Sequence, residues 1–298
     1  MRRRRGQPVH GWIILDKPVG VGSTPAVAQV RRAFDAQKAG HGGTLDPLAS
    51  GILPIALGEA TKTVPYVMDG KKTYRFTVRF GEERTTDDAE GTCVEVSPQR
   101  PSRQDIDAVL PAFIGTIYQV PPQFSALRVD GKRSYERARQ GEDVTLTPRP
   151  VWVESLSLET VDSSDEATFC VTTGKGFYVR ALARDMGRRL GCFGYISALR
   201  RCACGPFSEE DAISLDKLQQ LGHSSALLDA LLPTASALDD IPAIAVSDDD
   251  AFRLSKGQMI PCHGPEGCAV VRAMKGDQVV ALVRICDGAA HPFRVLNA

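Results

Sequence analysis

The sequence predicts an α+β fold, and three observations predict it. Residues 71–80 alternate as a half-buried strand does, with Tyr74, Phe76, Val78 and Phe80 on one face and Arg75, Thr77 and Arg79 on the other. Val27, Val30 and Phe34, and later Leu182, Met186 and Leu190, recur at the spacing of one helix face. From Ile241 the texture changes. Short runs such as Val270-Val271, Val279-Val280-Ala281-Leu282-Val283 and Phe293-Arg294-Val295, with Val246, Phe252 and Leu254 before them, are read as short strands with glycine turns, the pattern of a small β-barrel. The chain is therefore divided into residues 1–240 and a smaller all-β segment, 241–298.

At 298 residues, 43% hydrophobic and 24% charged, the chain can bury a full core and hold two domains. No apolar run approaches the ~20 residues of a membrane span. The start is basic, Arg2-Arg3-Arg4-Arg5, but residues 9–15 are too short and interrupted for a signal sequence, which places the protein in the cytoplasm. The 8 cysteines include no C-x-x-C pair, and Cys202-Ala203-Cys204 has the wrong spacing for a zinc knuckle, so free, mostly buried thiols and no metal are expected. Net charge is zero, yet unevenly spread. Residues 175–201 hold Lys175, Arg180, Arg184, Arg188, Arg189, Arg200 and Arg201 against Asp185 alone, while residues 208–250 are strongly acidic. A chain so polarised can present a basic face to nucleic acid and stay neutral overall.

Taken in order, residues 11–17 form a first strand ending in Asp16-Lys17-Pro18. Val19 to Gly22 turns the chain, Ser23 or Thr24 can cap a helix, and Pro25 suits its first position. Residues 38–51 then hold too many small residues for a packed helix. Gly40, Gly42 and Gly43 let another chain approach, and Pro47 keeps Asp46 out of the helical region, on a stiff turn. The apolar run Ile52 to Leu57 props this loop on a core element. An Asp-Pro turn taken alone is a capped surface turn; on a stiff loop against a core strand, the same carboxylate can serve as nucleophile or base. A short helix follows Gly58 to Lys62, and residues 81–91 form a polar loop. Residues 102–114 are helical, with Ile106, Val109, Leu110 and Phe113 inward and Ser102 and Asp105 approximating a capping box. Past Pro121-Pro122, Arg128, Lys132, Arg133, Arg137 and Arg139 gather in a segment that projects toward RNA phosphates. Residues 151–159 and 167–173 pair as strands, and Leu215, Leu218 and Leu221 mark a last helical stretch before the barrel.

Residues 40–54, G-H-G-G-T-L-D-P-L-A-S-G-I-L-P, resemble the signature of the TruB family of tRNA pseudouridine synthases, usually G-H-T-G-x-L-D-P-x-A-[ST]-G-x-L-P. The departure falls at Gly42 or Gly43, where the family often has Thr. Further matches follow in order. Asp16-Lys17-Pro18 resembles the family's first motif, and Lys72-Thr73-Tyr74-Arg75-Phe76 its K-x-Y-x-[AF]. Residues 81–91 resemble G-x-x-T-x-T-x-D-x-x-G through Thr86, Asp88 and Gly91, with Arg84 where Thr is usual. Ser125, Gly131, Tyr135, Ala138, Arg139 and Gly141 match a thumb-like insertion of about residues 120–150. Residues 175–187 resemble K-G-[TF]-Y-[IV]-R-[ST]-[LI]-x-x-D-[LI]-G, and Leu199-Arg200-Arg201 matches L-R-R.

The resemblance implies a pseudouridine-synthase fold with a mixed, largely antiparallel central sheet, followed by a C-terminal PUA-like RNA-binding barrel. It implies Asp46 as the catalytic nucleophile, Arg180 as its partner, Tyr74 stacked on the target base, and Tyr178 and Leu199 closing the pocket. His41 takes the space vacated by the flipped base or contacts the backbone, and Lys17 and Pro18 build the floor. The substrate implied is tRNA, through its T stem-loop and the uridine at position 55, turned over by a monomer that needs no protein partner, cofactor or metal.

That isomerisation requires the base to leave the stack. A carboxylate can split it into two easier steps by attacking C1′ or C6, and both remain open. An adjacent Arg180 favours the charged carboxylate, and Tyr74 is placed to stack on uracil and help move the C5 proton. Two rivals share the resemblance. A non-catalytic RNA-binding or chaperone protein of this fold would not need Asp46, Tyr74 and Arg180 together. A guide-RNP relative would carry partner-binding extensions and usually a longer basic tail than a chain that ends at Ala298.

Overall fold

The computed structural model of the chain describes residues 6–125, 127–129, 132–133, 137, 146–222, 226–262 and 270–297. Gly131, Tyr135, Ala138, Arg139 and Gly141, the side chains of Arg128, Lys132 and Arg133, and Arg2 to Arg5 lie outside the described residues. Two compact units emerge. One is made of Met1–Pro47, Gly51–Asp69 and Cys204–Ala298, the other of Leu48–Ser50 and Gly70–Ala203.

The first unit is built on the strand Gly11–Lys17, whose Trp12 to Leu15 are buried on both faces as the continuous apolar run requires. It runs parallel to Ala212–Ser214 and antiparallel to Ala49–Leu57, in register from Gly11 opposite Leu57 to Lys17 opposite Gly51. Ala39–His41 pairs antiparallel with the other edge of Ala49–Leu57. The helix Ser23–Ala33 buries Ala26 and Val30. Its N-cap is Gly22 and no side chain caps it, so the expected Ser23 or Thr24 cap is corrected: the Ser23 hydroxyl is engaged on Leu45 instead.

This unit also holds a curled, half-barrel sheet ordered Ala243–Ala245, Val270–Lys275, Gln278–Cys286, Ala289–Val295 and Ile260–Pro261. Leu254, Ala273, Ala281, Val283 and Ala290 fill its core. The expected strand around Phe252 and Leu254 is a helix, Asp248–Ser255. Ser247 accepts the Asp250 N–H as its cap and three aspartates fill the first turn, which favours a helix start over alternation. One expected free thiol is corrected too: Cys286 is disulfide-bonded. Cys93, Cys170, Cys192, Cys202, Cys204 and Cys262 are free, and only Cys192 and Cys204 are buried.

In the second unit the strand order is Gly194–Cys204, Lys72–Phe80, Glu166–Thr173, Arg149–Val161 and Gly115–Gln119. Phe76 faces Phe169 in register and the rings stack 5.4 Å apart. The helix Val179–Arg189 packs on Lys72–Phe80, and its Leu182 and Met186 are fully buried. The helix from Ser102 carries its capping box as expected but ends at Val109, and a 3-10 turn Leu110–Phe113 continues it. Pro111 has no N–H to offer the α-helical ladder. Of the seven basic residues in 175–201, Arg180, Arg184 and Arg201 are buried and Arg184 and Arg188 pair with carboxylates, while Lys175, Arg188 and Arg189 are exposed. Among the described residues no helix is long and apolar enough to cross a membrane.

Candidate active site

Asp46 is half-buried on the loop between Ala39–His41 and Ala49–Leu57. Its two neighbours are tied down. The Ser23 hydroxyl accepts the Leu45 N–H and donates to the Leu45 carbonyl, both at 2.8 Å, and the Gly20 N–H donates to the Pro47 carbonyl at 2.8 Å. The Gly20–Ser23 turn therefore grips the chain on both sides of the carboxylate. Lys17 secures that turn in its own right. Its side chain has no solvent exposure, and its ammonium donates to the Pro18 and Val21 carbonyls at 2.9 and 2.7 Å. A buried cation is tolerable because carbonyl dipoles replace its water. Lys17 thus braces the turn that holds the Asp46 loop.

His41 ends the Ala39–His41 strand, half-buried, and its Nδ1 accepts the Gly43 N–H at 3.3 Å. Gly42 lies so close to the Val64–Asp69 helix that a Cβ would meet Val67 Cγ1 at 2.7 Å. Gly43 has φ +141°, a conformation that side chains resist. Either position gives the departure from the Thr of the signature a local cause.

The second unit carries Tyr74, Tyr178, Arg180 and Leu199. Tyr74 sits half-buried on the same face of Lys72–Phe80 as the buried Phe76. Tyr178 is the residue before the Val179–Arg189 helix, half-buried, its backbone clamped by Gln119. The Gln119 Oε1 accepts the Tyr178 N–H at 3.1 Å and Nε2 donates to its carbonyl at 3.3 Å. Leu199 is buried in Gly194–Cys204. Arg180, in the first turn of the helix, is 6% exposed. It donates to the Thr86 and Phe124 carbonyls, both at 3.0 Å, and lies 3.3 Å from the Asp88 carboxylate. Asp88 also accepts the Thr86 hydroxyl at 2.5 Å and the Glu90 N–H at 3.0 Å. These bonds close the loop of residues 81–91 on itself. Arg84 adds to it, with its guanidinium on Glu82 and the Ala89 carbonyl and 4.3 Å from the centre of the Tyr195 ring.

Three residues escaped sequence reasoning. Arg184, one helical turn after Arg180, pairs with Asp87 at 3.0 Å and with Asp185 at 2.9 Å, and donates to the Val120 carbonyl at 2.8 Å. Gln119 is the third. The signal available was the (i, i+4) spacing of the two arginines, which puts them on one helix face. Asp87 and Asp88, more than 90 residues upstream, carry no such signal. Asp87 has φ +60° and its pKa is raised to about 6, chiefly by burial, with Arg184 and Arg180 opposing. Among the described residues no group of three or more His, Cys, Asp or Glu side chains is placed to hold a metal ion.

Comparison with known proteins agrees with the motif order. A model of the N-terminal domain of TruB family pseudouridylate synthases matches residues 31–179, and one of the tRNA pseudouridylate synthase B C-terminal domain matches residues 180–239. The chain is 54% identical to a tRNA pseudouridine synthase B of Rhodopseudomonas palustris, over 99% of this chain and 83% of that one. It is 51% identical to the protein of that name from Gluconacetobacter diazotrophicus, over 99% and 100% of the two chains. Among solved structures, a chain of a Cbf5-Nop10-Gar1 complex superposes with a TM-score of 0.73 at 26% identity, covering 96% of this chain and 84% of that one.

Proposed function

Because the chain belongs to the TruB family of pseudouridylate synthases, we propose that it isomerises uridine to pseudouridine in the T arm of tRNA, at position 55, with Asp46 as the nucleophile. The observation that carries the assignment is the double anchoring of Asp46: the residues before and after it are hydrogen-bonded to one braced turn. A surface Asp-Pro turn has no need of that. A nucleophile does, because misplacement of about 1 Å costs on the order of a hundredfold in rate.

In this reading the uridine flips out of the T loop and stacks on Tyr74. His41 takes the space vacated by the flipped base or contacts the backbone, and Tyr178 and Leu199 close the pocket. Arg180 is the cationic partner that the family pattern supplies for the nucleophile. The Asp46 carboxylate attacks C1′ or C6. The bond from N1 to C1′ breaks and that from C5 to C1′ forms; C5 gives up its proton, N1 gains one, and the carboxylate is released. Atoms and charge balance without a redox partner. Residues 241–298 supply further RNA-binding surface, for which the Arg284 guanidinium 5.0 Å from the centre of the exposed Phe293 ring offers a charge and a stacking surface. The enzyme acts as a cytoplasmic monomer.

The test is tritium release from tRNA labelled at uridine C5. Wild type releases tritium, Asp46→Asn does not while it still retains tRNA on a filter, and a transcript lacking the T-arm uridine releases none. Release that persists in Asp46→Asn overturns the nucleophile, and absence of release from wild type with tRNA still bound favours a non-catalytic binding protein.

A further inference from the structure

Two arginines project from one face of the Val179–Arg189 helix, and the reaction proposed above uses only the first. Arg180 belongs to the family pattern, as do Thr86 and Asp88, which it touches. Arg184 and Asp87 stand at positions that the same patterns leave open, yet here they form a buried ion pair, each side chain 9% exposed. Burying two charges is costly unless both are held by further bonds. Here they are. Arg184 spends Nε on Asp185 and its two terminal nitrogens on Asp87 and the Val120 carbonyl. The backbone around Asp87 is fixed independently: its N–H donates to the Arg84 carbonyl, the Ile196 N–H donates to the Asp87 carbonyl, and the Ala89 N–H donates to the Ile196 carbonyl.

The consequence lies at Val120. Arg184 holds Val120 and Arg180 holds Phe124, so the two guanidiniums grip the root of the inserted segment that begins near residue 120. Val120 is followed by Pro121 and Pro122, which have no N–H of their own to anchor it. That root connects the active-site helix to the segment whose basic residues would meet RNA.

We propose that Arg184 and Asp87 are a positioning pair that fixes the root of the 120–150 insertion and thereby sets the grip on tRNA, an inference that rests on the tRNA reading above. The pair acts through the Val120 carbonyl and touches neither the uridine nor Asp46. A merely structural pair would lower the fraction of folded enzyme, which lowers apparent kcat and leaves KM alone. A positioning pair shows itself in KM.

The Asp87 carboxylate faces Arg184, Arg180 and Asp185 from the helix and Glu83 from the strand Glu82–Arg84. Burial raises its pKa to about 6, against the two arginines. Below that pH the carboxyl is neutral and the ion pair is lost, leaving the Arg184 guanidinium uncompensated, so KM rises on acidification through about pH 6.

The experiment measures tritium release and filter binding of tRNA for wild type, Arg184→Gln, Asp87→Asn and Arg184→Lys between pH 5.5 and 7.5. Arg184→Gln and Asp87→Asn are expected to raise KM and the dissociation constant about tenfold at pH 7.5, with a smaller change in kcat. Arg184→Lys, charged but unable to span Asp87, Asp185 and Val120 together, recovers part of the loss. Wild type loses affinity below about pH 6, and Asp87→Asn does not. A fall in kcat at constant KM, or variants that bind tRNA as wild type does, overturns the proposal. If Arg184→Gln fails to fold, the wild-type pH dependence and Asp87→Asn decide alone. A wild type that binds tRNA without releasing tritium defeats the proposed reaction, and the binding measurements still judge the pair.

Discussion

Gly42 touches the Val64–Asp69 helix where the family signature has room for a larger residue, and Val67 is the reason. Val67 is fully buried and β-branched, so its Cγ1 cannot swing away from a new Cβ 2.7 Å off. Gly42→Thr is therefore expected to cost about 1–3 kcal/mol of stability by overpacking, and Gly42→Thr with Val67→Ala to recover much of it, both measured by urea denaturation. Equal losses in the single and double variants would show that the backbone at Gly42, not Val67, sets the limit. Arg84 shows the same local logic. It replaces a hydroxyl with a guanidinium that closes the same loop from Glu82 and the Ala89 carbonyl.

Between elements, the link that matters most to Asp46 is one hydroxyl. Ser23 starts the Ser23–Ala33 helix but serves the 44–47 loop, and it satisfies both the N–H and the C=O of Leu45, which is 4% exposed. Ser23→Ala leaves both groups buried without that partner, a loss of about 1–3 kcal/mol, and releases the residue next to the nucleophile. Its kcat should fall while tRNA binding stays near wild type; a variant with unchanged kcat would detach the turn from catalysis. This link also marks how far the sequence could be read. The strand Gly11–Lys17, the core strand Ala49–Leu57 and the alternation of 71–80 were legible because periodicity and apolar runs are local signals. Ser23 looked like a cap because a Ser before a helix usually is one, and its long-range duty has no local signature. Phe252 and Leu254 carry no helical signal of their own, because two apolar side chains cannot show a period. The Ser247 cap and the aspartates after it were the better signal. The arginines of residues 175–201 looked like a surface because their partners, Glu83, Asp87 and Asp88, lie in another stretch of the chain.

Over the whole chain, the tail is where sequence order and packing differ most. Residues 241–298 were set apart by texture, and their sheet does own a core around Leu254 and Ala281. A second apolar cluster joins that sheet to earlier residues: Leu238 packs with Val279, Leu282 and Leu296, and Tyr66, Ala235 and Met274 lie against it. Polar bonds run the same way, from the Lys62 ammonium to the Val295 carbonyl at 2.7 Å and from the Asn297 N–H to Glu59 at 2.9 Å. Cutting the chain after Asp240 would therefore do more than remove a module. Leu238, 1% exposed in the intact chain, would face water at a cost of about 2 kcal/mol by itself, and the carboxylate of Glu59 would lose a donor. The truncated chain is expected to unfold at a clearly lower temperature than the full chain in calorimetry, and to lose activity at 37 °C before it loses activity at 15 °C. Substituting Leu238→Gln in the truncated chain should then restore solubility without restoring stability, because it removes the exposed apolar surface but none of the missing contacts. A truncated chain with the melting temperature of the whole would mean that the cluster around Leu238 contributes no net stability, and that residues 241–298 are held on by their connection alone.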